Sequence, residues 1–333
     1  MTTQERPTPT FDGPIESVAV GVPTKDNEDS IRATLESLLE QHRQPDRIIV
    51  VDASTDRTPE IVRDVAESTD VEIALLEETT HGRGISAARQ QIYEALEEDL
   101  LACLDTEKRV EPDWVETHLE FHREHPEFGV LNAGPEVEGE VENPKTYDFF
   151  VQANCSIKRE VLDLLGGWDR WMNRGEDWDF RIRLWRAGVR SYSTAALAAD
   201  LVVDESPYVE ISKMSARPGC VAFLRKYGRW YASFYPIHVL GDVASAVSIA
   251  ATALAVLLAP LTLGGSLALG AVPLTAFAVY VYFDYGRAHG VPDARELALR
   301  LPRFYLLGYT ALRELLYAED YDWNYGGVER DGR

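Results

Sequence analysis

The sequence predicts an α/β domain built on a doubly wound parallel sheet, followed by a C-terminal transmembrane helical hairpin. Three observations carry this prediction. Between Ser17 and Leu104 short β-branched runs alternate with helical patterns, residues 243–283 contain no charged side chain, and 46 of the 55 acidic residues precede that stretch. With 333 residues, 45% of them hydrophobic, the chain has the length of about two domains and ample material for a packed core.

The first fourteen residues, MTTQERPTPTFDGP, are polar and proline-rich and show no charged segment followed by an apolar one. Residues 1–16 are therefore expected to form a flexible N-terminus without a cleavable signal, leaving the next domain in the cytoplasm. That domain, residues 17–235, opens with strand Val18–Val22 and helix Glu28–Gln41, whose Ile31, Leu35, Leu38 and Leu39 share one face. Strand Arg47–Val51, helix Thr58–Ser68, strand Val71–Leu76, helix Ile85–Glu98 and strand Leu100–Leu104 follow. Regular βα alternation of this kind builds a parallel sheet with right-handed crossovers.

Charge narrows the partners. Against 33 Lys and Arg stand 55 Asp and Glu, a net charge of -22, which excludes a phosphate-neutralising nucleic-acid face. Only six of the basic residues are lysines, and many carboxylates with few lysines read as adaptation to high salt, where self-repulsion is screened. Cys103, Cys155 and Cys220 form no CxxC pair, so neither a disulfide framework nor a thiolate metal site is expected.

The uncharged run is divided by Gly264-Gly265, and about 20 apolar residues span a bilayer, so Val243–Leu263 and Ser266–Phe283 read as two membrane helices within residues 236–285. Tyr and Trp residues flank both outer ends, and arginines and a lysine lie beyond them. Aromatic belts and the positive-inside rule place both ends on the cytoplasmic side. Within residues 286–333, Glu296–Tyr317 mixes apolar and basic residues and is expected to be broken near its start by Pro302; it reads as an interfacial helix or a third span.

Ligands of open parallel sheets sit beyond the carboxyl ends of the strands. After the first strand come Pro23, Thr24, Lys25, Asp26, Asn27 and Glu28, where Asp26 and Asn27 suit either helix capping or a ligand. After the second, Asp52 suits ligand contact and Asp56 suits capping. After the third, His81-Gly82-Arg83-Gly84 opens a helix, and Arg83 and Arg89 there suit an anionic group; a dinucleotide fingerprint belongs to the first βα turn, so a dehydrogenase is discounted. After the fourth, Asp105 and Glu107 are two hard oxygen donors suited to Mg2+ or Mn2+. Further on lie Gly166-Gly167-Trp168-Asp169 and Glu176-Asp177-Trp178-Asp179. The acids favour a helix N-terminus, and Trp168, Trp171 and Trp178 suit either stacking on a sugar or packing in the core.

Taken in this order, these stations resemble the inverting glycosyltransferase family 2 of GT-A fold over roughly residues 17 to 235. The matching pieces are Val22-Pro23-Thr24 to Glu28, Val51-Asp52 with Ser54-Thr55-Asp56, Gly84 to Arg89, Asp105-Thr106-Glu107 with Pro112 and Trp114, and the Gly-Gly-Trp-Asp and Glu-Asp segments. The resemblance implies a nucleotide-diphospho-sugar transferase in which Pro23, Thr24, Glu28, Asp52, Arg83, Arg89 and Asp105 bind the donor. It further implies Asp105 and Glu107 as ligands of a divalent metal, Asp177 as catalytic base, and Trp168, Glu176 and Trp178 on the acceptor side. Three departures stand out: Glu107 replaces the usual Asp, the Asp52 turn is about one residue short, and Gln90 stands where Asn often follows the arginine. Lys226 replaces the glutamine of the Q-x-x-R-W element of processive synthases, so single-sugar transfer is expected, with Arg229 and Trp230 serving equally as membrane anchors. The resemblance and the hairpin together imply a UDP- or GDP-sugar donor and a lipid-linked acceptor at the cytoplasmic membrane face, as in archaeal-type protein N-glycosylation. Alternatives are a polyprenyl-phosphate sugar synthase and a non-catalytic membrane scaffold.

Overall fold

The structure, a computed structural model, describes residues 9–78, 84–140, 144–147, 150, 152–170, 175–202, 220–260, 271–282 and 290–316. The chain divides into two compact units, residues 1–204 with 322–333, and residues 205–321. Residues 220–234, expected within the first domain, thus pack with the second unit.

The first unit alternates β1 (Val18–Thr24), α1 (Ile31–Leu39), β2 (Arg47–Asp52), α2 (Thr58–Ala66), β3 (Glu72–Glu77), α3 (Ile85–Glu94) and β4 (Leu100–Leu104). These match the sequence-predicted elements, the helices ending earlier than their apolar periodicity implied. A short β5 (Lys108–Val110), α4 (Trp114–Glu124), β6 (Phe128–Ala133), β7 (Val137–Gly139), β8 (Asn154–Lys158), α5 (Arg159–Leu165), α6 (Glu176–Arg186), β9 (Arg190–Thr194) and β10 (Ala199–Leu201) complete it. Eight strands form one sheet in the order β3-β2-β1-β4-β8-β6-β9-β7, and β5 and β10 form a separate antiparallel pair.

The sheet is mixed, which corrects the all-parallel expectation. The pairs joining β1 to β4 are parallel as predicted, but β8 runs antiparallel between β4 and β6. Among the described residues no crossover helix lies between β7 and β8, and β8 takes its direction from pairing with β4 and β6. That direction brings the start of β8 to the edge where β1, β2 and β4 end. Ile31, Leu35 and Leu38 of α1 are fully buried with Val62 of α2 and Trp114 and Val115 of α4 over the strands.

The N-terminal segment is pinned rather than flexible where it is described. Phe11 and Ile15 are buried, the Phe11 carbonyl accepts from the buried Lys158 Nζ (2.9 Å), and that of Ile15 accepts from Arg123 Nε (2.8 Å). Residues 1–8 lie outside the described residues. Under the sheet, His118 Nδ1 and His122 Nε2 face the Ser156 hydroxyl at 2.8 and 2.9 Å. Burial holds both imidazoles neutral, His118 down to about 3, while Lys158 adds to the depression of His122.

In the second unit, α7 (Cys220–Tyr227), α8 (Arg229–Phe234), α9 (Pro236–Leu258), α10 (Ala271–Val281) and α11 (Ala294–Leu316) are described. Residues His238–Leu258 of α9 are the one stretch among the described residues long and apolar enough to cross a membrane. The counterpart expected over Ser266–Phe283 is described as an 11-residue helix, Ala271–Val281, and the Gly264-Gly265 turn lies outside the described residues. Pro302 does not break α11, which runs through it from Ala294. The helix packs on α9 where Gly308 N–H donates to Ser245 Oγ (2.8 Å) and that hydroxyl donates to the Phe304 carbonyl.

Two predictions follow from this packing. A methyl group on Gly308 would come within 2.5 Å of Ser245 Oγ and 2.6 Å of the Ala246 backbone nitrogen. Gly308→Ala should therefore cost about 1–3 kcal/mol in detergent-solubilised protein, read as a lower thermal midpoint, whereas an unchanged midpoint would show that the crossing is loose. For the histidines the folded pKa lies below the unfolded 6.5, so their stability contribution is full above that pH and is lost as pH falls toward the folded value. Between pH 6.5 and 5 the first unit should lose about 1.4 kcal/mol per pH unit for each histidine. A melting profile flat across that window would contradict their burial.

Candidate active site

The carboxyl ends of β1, β2 and β4 lie at one sheet edge, and the sequence-predicted residues gather there because of it. Thr24, at the end of β1, pairs in register with Asp52, at the end of β2. Both are buried, as is the preceding Pro23, and Thr24 Oγ1 has no hydrogen-bond partner. Asp52 Oδ1 accepts from the Ser54 hydroxyl (2.5 Å) and backbone N–H (3.3 Å), while Ser54 Oγ accepts from the Asp26 backbone N–H (2.7 Å). Burial lifts the Asp52 carboxyl above the usual range, and the Ser54 hydrogen bonds oppose that rise.

The loop after β1 is held by cross-braces rather than by helix caps. Asp26, at positive φ (51°), accepts from the Thr55 N–H (2.7 Å), and Asn27 Nδ2 donates to Thr106 Oγ1 (2.5 Å). Neither side chain caps α1, so the capping alternative does not hold for them. Asp56 does accept from the Thr58 N–H (2.9 Å) at the start of α2, as expected. Glu28, expected at the donor, accepts from Arg57 Nε (3.1 Å) near the surface.

The turn after β4 is closed by Lys108 N–H donating to the Asp105 carbonyl (3.2 Å). Within it Thr106 is buried, its carbonyl accepting from Thr34 Oγ1 (2.6 Å), and half-buried Asp105 and Glu107 flank it. Opposite stands Arg89 of α3, only 3% exposed. Its Nη2 donates to Asp105 Oδ1 (3.2 Å); its Nη1 donates to Gln152 Oε1 (2.9 Å) and Glu176 Oε1 (3.1 Å) and lies 3.7 Å from Asp177 Oδ1. Asp177 Oδ1 also accepts from the Gln152 backbone N–H (3.2 Å). Burial raises the Asp177 carboxyl, with Arg89 and that hydrogen bond pulling it back. Burial alone would disfavour the Arg89 cation, but Asp105, Asp177 and Glu176 outweigh it.

This geometry reassigns some residues. Arg89, expected to contact the donor, directs Nη1 to Gln152 and Glu176 and Nη2 to Asp105. Trp168, one of the acceptor-side residues, is 1% exposed and stacks on Phe180 with centroids 5.0 Å apart, so it takes the core alternative. Trp178 is half-buried with the Arg181 guanidinium 4.8 Å over its ring. The Gly166-Gly167 pair is scaffold. Both have positive φ, and a methyl group on Gly167 would collide with Gln90 Oε1, the atom that accepts from the Trp168 N–H (2.7 Å). Arg83 and Trp171 lie outside the described residues.

Gln152 was not among the sequence-predicted residues. It sits in no motif, and only the reversed direction of β8 carries it to this edge. Ser54, bridging Asp26 and Asp52, stands in the turn after β2 that the resemblance already included.

Among the described residues no three His, Cys, Asp or Glu side chains form a cage for an ion. A Mg2+-type cation, however, takes one or two protein carboxylates and completes its shell with diphosphate oxygens and water. Asp105 has one oxygen on Arg89 and a half-exposed carboxylate, and this donor set fits such a cation.

Removing the Arg89 cation leaves neighbouring carboxylates uncompensated. Arg89→Met should cost about 3 kcal/mol near pH 7.5, the low end for a buried pair because Asp105 and Asp177 keep some exposure. Without the cation the Asp177 carboxyl holds its proton more tightly when folded, so the gap to wild type should narrow as pH falls toward 5. Thermal midpoints showing a gap independent of pH would contradict the network.

Comparison with known proteins agrees with this architecture. The family model Glycosyl transferase family 2 matches residues 19–174, and Glycosyl transferase family group 2 matches residues 140–285. The glucosyl-dolichyl phosphate glucuronosyltransferase of Haloferax volcanii is 25% identical over 196 residues, 52% of this chain. The match spans 61% of that relative's length. Mannosyltransferase PcManGT from Pyrobaculum calidifontis, in complex with GDP-Man and Mn2+, has a TM-score of 0.57 at 17% identity, covering 95% of this chain and 92% of that one. S. aureus TarS 1–349 in complex with UDP has a TM-score of 0.50 at 18% identity, covering 84% and 95%. These two structures share the fold. Over the residues that the two family models match, 19–285, the chain is similar to glycosyltransferase family 2.

Proposed function

We propose that this enzyme moves one sugar from a nucleoside-diphosphate donor, UDP- or GDP-linked, to a hydroxyl of a lipid-linked glycan at a membrane face, with inversion at the anomeric carbon. The observation that carries this reading is the cluster of Asp105, Glu176 and Asp177 around Arg89 at the sheet edge shared with Thr24 and Asp52. Asp52 and Thr24 receive the nucleoside, with Pro23 and Glu28 shaping that end. Asp105 and Glu107 would hold a Mg2+ or Mn2+ ion, which when bound would offset the charge of the diphosphate. PcManGT, seen with GDP-Man and Mn2+, and TarS, seen with UDP, support the donor class and the ion.

Asp177 acts as general base, taking the proton of the acceptor hydroxyl as its oxygen bonds to the anomeric carbon and the bond to the diphosphate breaks. A carboxylate whose proton affinity is lifted by burial is a stronger base than a solvated one. Glu176 and Trp178, on the same first turn of α6, line the acceptor side. A phosphate acceptor is already ionised and needs no base, so the Glu176-Asp177 pair favours a hydroxyl. The Haloferax volcanii relative supports this, since its name places a dolichyl-phosphate-linked sugar among what it acts on. Helix α9, long and apolar enough to cross a bilayer, supports a membrane-held site, where a lipid-borne acceptor is met at high effective concentration. A two-pass hairpin with the catalytic unit in the cytoplasm fits the flanking arginines and aromatics.

The test is transfer of labelled sugar from UDP- and GDP-sugars to extracted lipid-linked glycans and, separately, to polyprenyl phosphate. Transfer to the glycan that falls at least about 100-fold in Asp177→Asn, with an unchanged melting point, is the expected result. Transfer to polyprenyl phosphate alone would replace this reading with a polyprenyl-phosphate sugar synthase. Activity unaffected by both Asp177→Asn and Asp105→Ala would remove the cluster from catalysis.

A further inference from the structure

We propose that Gln152 is a positioning residue of the transfer site: it holds the Arg89 guanidinium and the Asp177 carboxylate at ion-pair distance and keeps a direct hydrogen bond from forming between them. The inference rests on the reading of Asp177 as base.

The geometry is a matter of hydrogens. The Nη1 nitrogen of Arg89 carries two. One goes to Gln152 Oε1 at 2.9 Å and the other to Glu176 Oε1 at 3.1 Å, leaving Asp177 Oδ1 at 3.7 Å with none directed to it. The same residue fixes the other partner, since its backbone N–H donates to Asp177 Oδ1 at 3.2 Å. Its neighbour anchors the bracket to the sheet, because the Ala153 carbonyl accepts from the Asp105 N–H at 3.1 Å.

The orientation of the amide supports this role. Gln152 is fully buried, and its Nε2 has no hydrogen-bond partner. An unsatisfied buried donor is costly, and flipping the amide would place that nitrogen against the guanidinium, which is worse. The oxygen thus stays on Arg89 at the expense of the other end, as expected where holding Arg89 is the constraint. A base hydrogen-bonded to a guanidinium has a lone pair occupied and its charge shared, so it accepts a proton less readily.

Gln152→Leu removes the acceptor at similar size and frees one Nη1 hydrogen for Asp177, whereas Gln152→Glu keeps an acceptor there. Gln152→Met, also lacking the amide oxygen, is the second variant should the leucine protein not fold. Crystal structures of wild type and the Leu or Met variant at pH 7.5 give a readout independent of turnover. Arg89 Nη1 should move within hydrogen-bond distance of Asp177, and an unmoved Arg89 overturns the proposal. In the transfer assay kcat should fall on the order of tenfold with donor KM little changed, and Gln152→Glu should recover part of the loss. Equal losses in the Leu and Glu variants that track lowered melting points would show a merely structural role and also overturn it. Should the wild type transfer no sugar, the proposed function fails, while the pair of crystal structures still decides the position of Arg89.

Discussion

A single buried cation organises the candidate active edge of this protein. Arg89 is the point where α3, the end of β4 and the first turn of α6 meet, through hydrogen bonds to Asp105 and Glu176 and the ion pair with Asp177. Without it three carboxylates would crowd a partly desolvated space, and mutual repulsion would drive the turn after β4 and the start of α6 apart. The adjacent Gln90 performs a parallel service on the scaffold side. Its Oε1 receives the Trp168 N–H, and Arg183, paired with Asp179 at 2.8 Å, donates to the Gly167 carbonyl at 2.7 Å. Two consecutive residues of one helix thus hold the acids and the glycine turn that leads toward them.

This arrangement bears on the charge of the chain. In a protein of net charge -22, the proposed donor, an anion, would meet the acids of this edge. Arg89 neutralises part of that local charge from within, and a divalent ion on Asp105 and Glu107 would supply the rest at the diphosphate. The division of labour differs from the one implied by sequence, in which Arg89 met the donor itself. An arginine buried to 3%, with Nη1 on Gln152 and Glu176 and Nη2 on Asp105, holds the acids together instead.

The elements legible in the sequence were those with a local signature. β1 to β4 and their helices show alternating β-branched and amphipathic periods, and Asp52, Asp105 and Asp177 stand where strand ends and helix starts place ligands. What escaped is non-local. The reversal of β8 depends on pairing with β4 and β6 across more than twenty residues of sequence, and it alone brings Gln152 to the edge. Trp168 illustrates the converse. Its surroundings of glycine and acid read as exposed, whereas stacking on Phe180, a residue twelve positions later, buries it. The apolar helix α9 was legible as part of an uncharged run, but its packing was not: α9 and α11 meet closely because Gly308 lacks a side chain against Ser245.

The most direct test of the account is where a metal and a diphosphate bind. Crystals grown with Mn2+ and UDP or GDP would locate the ion by anomalous scattering. An ion coordinated by Asp105 and touching the diphosphate, with Arg89 still on Asp105 and Glu176 and Asp177 facing the open side, is the predicted result. A nucleotide held away from this edge, or Arg89 released from the acids to grip the diphosphate, would contradict it.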